Sequence, residues 1–171
     1  MKRLAIALLA SVSFACGGQV EDASGADLAA AQAFQPMQSF SSALTAAAKY
    51  ATHPVALSLE GNLATDQKSY AWVWTMWGEN GIFVDVQVSA AGTKVLSHEK
   101  RELFVGQASF DPKKIAVDPE KVISICHKHH AGTAQQLRLS APMTRNSAPH
   151  WFVDTGAKQL YIDATTGEIQ K

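Results

Sequence analysis

The chain has 171 residues, 47% of them hydrophobic, which is material for a sizeable core in one ordinary domain or two small ones. Lys plus Arg and Asp plus Glu both number 15, so the formal net charge is zero and no basic stripe marks a nucleic-acid binder. No apolar run approaches the ~20 residues that a membrane span requires.

The N-terminus reads as an address. Lys2 and Arg3 supply positive charge, Leu4 to Val12 an apolar run, and Ser13-Phe14-Ala15 a small-residue end. Residues 1–15 are therefore expected to be a secretory signal peptide. Cys16 follows directly, then Gly17-Gly18. This arrangement resembles a bacterial lipobox, with Ser13 where leucine is usual. The resemblance implies that Cys16 is lipidated and anchors the protein in the cell envelope. Gly17 offers no familiar inner-membrane retention signal, which favours the outer membrane. Residues 16–38 read as a flexible tether, since apolar periodicity is missing until Phe34 and Pro36 opposes a helix running through. If Cys16 carries lipid, Cys126 has no partner within the chain and is buried, metal-bound or paired with another chain.

From Ser39, the spacing of Phe40, Ala43, Leu44, Ala47, Ala48 and Ala51 predicts a helix that Pro54 stops. Val55, Leu57 and Leu59 alternate as a strand would, up to Gly61-Asn62. Ser69 to Trp77 is aromatic and β-branched, and Gly78-Glu79-Asn80-Gly81 reads as a hairpin connection. Ile82, Val84, Val86 and Val88 alternate with Phe83, Asp85, Gln87 and Ser89, the clearest half-buried strand in the chain. Thr93 to Ser97 returns as a further strand. Glu99-Lys100-Arg101-Glu102 reads as a solvated charge run ahead of Leu103-Phe104-Val105.

Residues 106–117 form a connector. Asp118 then caps a helix with Pro119 in its first position, where a missing N–H costs nothing. Val122, Ile125, Cys126 and His129 share one predicted face, and Gly132 is the expected C-terminal cap. Leu137 and Leu139 mark a strand, Trp151 to Asp154 and Gln159 to Ala164 a hairpin, and Glu168 to Gln170 a short last strand. The two halves present the same order of elements. The expected fold class is therefore α+β, with two tandem units (39–105 and 118–171), each one helix packed on an antiparallel sheet of about four strands.

The second half resembles a PepSY domain. The likeness rests on the Asp118-Pro119-Glu120-Lys121 helix start, Gly132, and Tyr161-Ile162-Asp163-Ala164-Thr165-Thr166-Gly167-Glu168-Ile169. In the first half the last motif has decayed to Val88-Ser89-Ala90-Ala91-Gly92-Thr93-Lys94-Val95. The resemblance implies an extracytoplasmic module that binds or restrains a partner, such as a protease, with no catalytic residues. The tandem arrangement is also similar to secreted β-lactamase inhibitory proteins, whose joined sheets form a binding face. The motif itself reads as turn chemistry: Asp163 accepts backbone hydrogen bonds and Gly167 supplies positive φ.

Two sites compete. In the first, a sheet face away from the helices docks a protein partner through Trp72, Trp74, Trp151 and Tyr161. In the second, Cys126, His129 and His130, within the run Cys126-His127-Lys128-His129-His130, bind zinc or copper. Burial of Cys126 beside a solvated, cation-bearing helix end explains the same residues without metal. No Gly-x-Ser-x-Gly elbow, His-Glu-x-x-His pair or P-loop is present, and the expectation is a non-enzymatic protein with no resident cofactor.

Overall fold

One antiparallel sheet of eight strands runs through the whole fold, in the order β4-β3-β2-β1-β5-β6-β7-β8. Its strands are β1 Val55–Leu63, β2 Tyr70–Trp77, β3 Phe83–Val88, β4 Val95–Arg101, β5 Gln136–Ser140, β6 His150–Asp154, β7 Gln159–Asp163 and β8 Ile169–Gln170. Among the described residues two α-helices accompany it, α1 Pro36–Ala47 and α2 Pro119–Lys128, with a 3-10 turn at Pro112–Lys114. The computed structural model describes residues 34, 36–63, 70–90, 92, 94–101, 108–143 and 148–170. The expected signal peptide, Cys16, most of the tether and Leu103-Phe104-Val105 lie outside them.

The expectation of two tandem four-stranded units is corrected by the seam between β1 and β5. These strands pair antiparallel over five positions, from Ser58↔Ser140 to Asn62↔Gln136, and merge everything into one sheet. The seam is reinforced across its length. The Leu63 N–H donates to the Gln135 carbonyl at 2.8 Å, and the Tyr70 hydroxyl donates to the Ala134 carbonyl at 2.6 Å. The Trp72 indole lies over Gly61, where any Cβ would collide with it. At the other end, the connector bridges Phe110 to Ala56 and Ala108 to Ala141. Local periodicity carries no information about such a junction, because pairing between strands this far apart in sequence is a tertiary event.

Both helices lie on the same side of the sheet. Trp74 Nε1 donates to Ser39 Oγ of α1 at 2.7 Å, and Trp151 Nε1 donates to the Val117 carbonyl just ahead of α2 at 2.8 Å. Register places Trp74, Leu59, Leu139, Trp151 and Ile162 in one row across five strands, so these contacts all belong to one face. That face forms a single core, in which Val84, Val86, Val88, Val122, Ile123, Cys126, Leu137 and Val153 are also buried. Phe34 stacks on Trp72 at 4.1 Å between ring centroids, so the folded part begins inside the expected tether, and α1 opens at Pro36, ahead of the expected start at Ser39.

Three local expectations shift. β1 carries a bulge between Ala56 and Ser58, which turns Ala56 and Leu59 to the covered face and interrupts the Val55-Leu57-Leu59 alternation. The strand expected to end at Ser97 runs on to Arg101 as β4, and Glu99 and Lys100 of the charge run are exposed on it. Helix α2 ends in a left-handed residue at His130 (φ 50°), not at Gly132. His130 N–H donates to the His127 carbonyl and Ala131 N–H to the Cys126 carbonyl, the paired bonds of a Schellman motif. At its other end the Asp118 carboxylate accepts from the Lys121 N–H at 2.8 Å, the cap that the sequence announces.

Candidate functional site

A side chain's face follows from its register, and three of the four aromatic residues expected to dock a partner are on the wrong side. Trp72, Trp74 and Trp151 have 0% exposure under the helices, so they hold the core and cannot meet a partner. Tyr161 is 51% exposed, on the opposite face. Trp151 and Tyr161 do not share a patch, because Trp151 stands opposite Ile162 while Tyr161 stands opposite Phe152. On β2 the outward side chains are Ala71, Val73, Thr75 and Trp77, and only Trp77 is exposed.

The open face is laid out in rows by the ladder. One row reads Glu60, Arg138, Phe152, Tyr161 and Gln170 across β1, β5, β6, β7 and β8. The next reads Thr75, Ser58, Ser140, His150 and Asp163, of which Thr75 and Ser58 are buried. Between these rows is a pocket of about 340 Å³, lined by Arg138, Ser140, His150, Phe152, Tyr161 and Gln170, with Ala141 and Pro142 completing its wall.

The pocket has an aromatic floor and a cationic wall. The Arg138 guanidinium carbon sits 5.2 Å from the Phe152 ring centroid, a cation–π contact, and Phe152 meets Tyr161 at 5.3 Å. Among the described residues no carboxylate lies within ion-pair distance of Arg138. Its Nε is buried and has no hydrogen-bond partner. Burying a guanidinium donor unpaired is costly, and the Arg138 side chain lines the pocket without a carboxylate partner. His150 Nε2 is in contact with the Gln170 side-chain amide.

Ser140, His150 and Asp163 stand side by side, the residue types of a hydrolytic triad. Among the described residues no hydrogen bond joins them. Asp163 is committed elsewhere: its Oδ1 accepts from the Thr165 and Thr166 N–H groups at 2.7 and 2.8 Å, while Gly167 (φ 80°) completes the turn. Burial raises the Asp163 pKa, but these two backbone donors and the charge interaction with His150 outweigh it and leave the carboxyl below its ordinary value. A carboxylate locked in a turn does not orient a base, and the row lacks the hydrogen-bonded chain that nucleophile activation needs.

The metal candidate also separates. Cys126 is buried against the sheet, and burial pushes its thiol up to about 11, away from the thiolate that binds zinc. His129 and His130 are exposed at the helix end, and His127 is half-buried with its Nε2 unpartnered. Among the described residues no three His, Cys, Asp or Glu side chains are placed to hold a metal ion.

Arg138, His150, Phe152 and Gln170 escape a reading by residue type alone. The available signal is alternation: Arg138 sits between two core leucines, and Phe152 between core residues Trp151 and Val153, so each must face outward. Among the described residues no helix is long and apolar enough to cross a membrane. Comparison with family models, curated proteins and solved structures finds no match.

Proposed function

We propose that the protein is a non-enzymatic, lipid-anchored module of the bacterial envelope that binds and restrains an extracytoplasmic protein partner, such as a protease, through the open sheet face. The observation that carries this reading is the outward row Arg138, Phe152 and Tyr161, a stacked cation and two rings beside a pocket. Tyr and Arg are the residue types that dominate binding energy at protein interfaces, and Tyr161 keeps half its surface exposed. The lipid anchor is the expectation raised by Cys16 and places the face on the outer side of the cytoplasmic membrane or at the outer membrane. A metal-handling role is not favoured, since the thiol and the imidazoles of the Cys126 to His130 run do not converge.

Site-specific photo-crosslinking in cells tests the proposal. A photoreactive phenylalanine analogue at Tyr161 should give one discrete protein adduct, and the same analogue at Ser124, exposed on α2, should not. Tyr161→Ser should weaken capture of that partner at least tenfold while costing about 1–2 kcal/mol of stability, through the lost Phe152 contact and lower strand propensity, with the amide spectrum still native. Equal adducts at both positions, or undiminished capture by Tyr161→Ser, would sink it.

A further inference from the structure

We infer that the pocket between β5 and β8 is a carboxylate subsite, and that the partner fills it with the side chain of a glutamate or aspartate from an extended segment. The inference rests on the open-face reading above and gives that face its chemistry. Three observations converge. Arg138 is pinned over Phe152, which holds the guanidinium plane in a defined place before any ligand arrives. Its buried Nε has no acceptor, and among the described residues no carboxylate approaches it or lines the pocket. Ser140, His150 and Gln170 add neutral hydrogen-bonding groups around the same space. A guanidinium presents parallel N–H donors matched to a carboxylate, and such charge-assisted bonds are about twice as strong as neutral ones.

The volume and the backbone decide which kind of carboxylate. About 340 Å³ holds a side chain together with part of its segment. Capture of a chain terminus generally uses a nest of free backbone N–H groups. Strands β5 and β6 are paired on both sides and β7 pairs β8 at Tyr161 and Ile162, so the backbone donors of the sheet under the pocket are engaged in the ladder and recognition falls to side chains. Tyr161 at the rim then packs against the residue flanking the acid.

The test uses the full chain and three blocked peptides: acetyl-Ser-Val-Glu-Val-Ser-amide, its Gln counterpart, and the Gln peptide with a free C-terminal acid. Binding is followed by NMR of the arginine side-chain N–H signals and backbone amides. The Glu peptide should shift the Arg138 Nε–H resonance saturably and bind at least tenfold more tightly than the Gln peptide, with the free-acid peptide no better than the latter. Arg138→Gln should erase that preference while keeping a native amide spectrum. Equal affinity of the Glu and Gln peptides, both lost in Tyr161→Ser, would overturn the carboxylate subsite and leave the open-face reading standing. Preference for the free-acid peptide would overturn the side-chain assignment. No shift anywhere on the open face with any peptide would overturn the subsite, and photo-crosslinking at Tyr161 then decides the wider reading separately.

Discussion

Replacing Gly61 with alanine probes the seam that makes this one sheet. Gly61 lies in β1 opposite both Trp72 and Leu137, in backbone that any residue can adopt. A Cβ there would stand 2.4 Å from Trp72 Cζ3 and 2.6 Å from Cε3 and Cη2. Carbon atoms prefer separations of roughly 3.5–4.0 Å, so the indole must retreat by about 1 Å. It has nowhere to go, being fully buried with Phe34 stacked on it at 4.1 Å. Overpacking of this kind costs about 1–3 kcal/mol. The alanine also restricts the unfolded chain, which returns about 0.4–1 kcal/mol. The net expectation is a loss of about 1–2 kcal/mol, read as a lower urea midpoint at unchanged m-value. In a Trp72→Leu background the collision is relieved, so Gly61→Ala should be neutral or stabilising there, with a coupling of about 1–2 kcal/mol in the double-mutant cycle. A Gly61→Ala protein as stable as wild type, or simple additivity with Trp72→Leu, would refute the reasoning.

Two further predictions concern side chains whose role is structural. Asp163→Ala removes the acceptor for two turn N–H groups and should cost about 1 kcal/mol at neutral pH, as judged by urea midpoints. Because folding lowers the Asp163 pKa, its stabilisation is complete above the ordinary carboxylate range and is lost as pH falls through the folded value. Wild type and Asp163→Ala should therefore converge in acid and separate at neutral pH, and a constant gap would contradict the turn's dependence on the charged form. Cys126, buried with its thiol pushed up to about 11, should resist maleimide at pH 8 in the native chain and react once urea unfolds it, as followed by mass spectrometry of the Cys126 peptide. Added zinc should leave its labelling rate in the folded chain unchanged. Rapid native labelling, or protection that depends on zinc, would restore the metal reading.

Much of the local structure is written in the order of residues. The Asp118-Pro119 start of α2 needs only a short polar side chain and a ring with φ already set, and it forms as its residues require. Val84, Val86 and Val88 alternate with polar residues, and that alternation alone divides β3 into two faces. The Asp163-to-Gly167 turn is closed by bonds spanning a few residues, so its chemistry is equally local. Alternation assigns Trp72 and Trp74 to one face and Val73 and Thr75 to the other, but it does not say which face a helix will cover. That choice depends on where α1 and α2 settle, with Ser39 meeting the Trp74 indole and Val117 meeting the Trp151 indole across 35 and 34 positions of sequence. It places three tryptophans in the core and leaves Tyr161 outside. The bulge at Leu57 and the β1–β5 pairing are likewise tertiary, since each is set by which strand lies alongside rather than by neighbours along the chain. The pocket does not need that seam: Arg138, Phe152, Tyr161 and Gln170 come from β5, β6, β7 and β8, which pair in chain order, and the register of those successive strands sets them side by side.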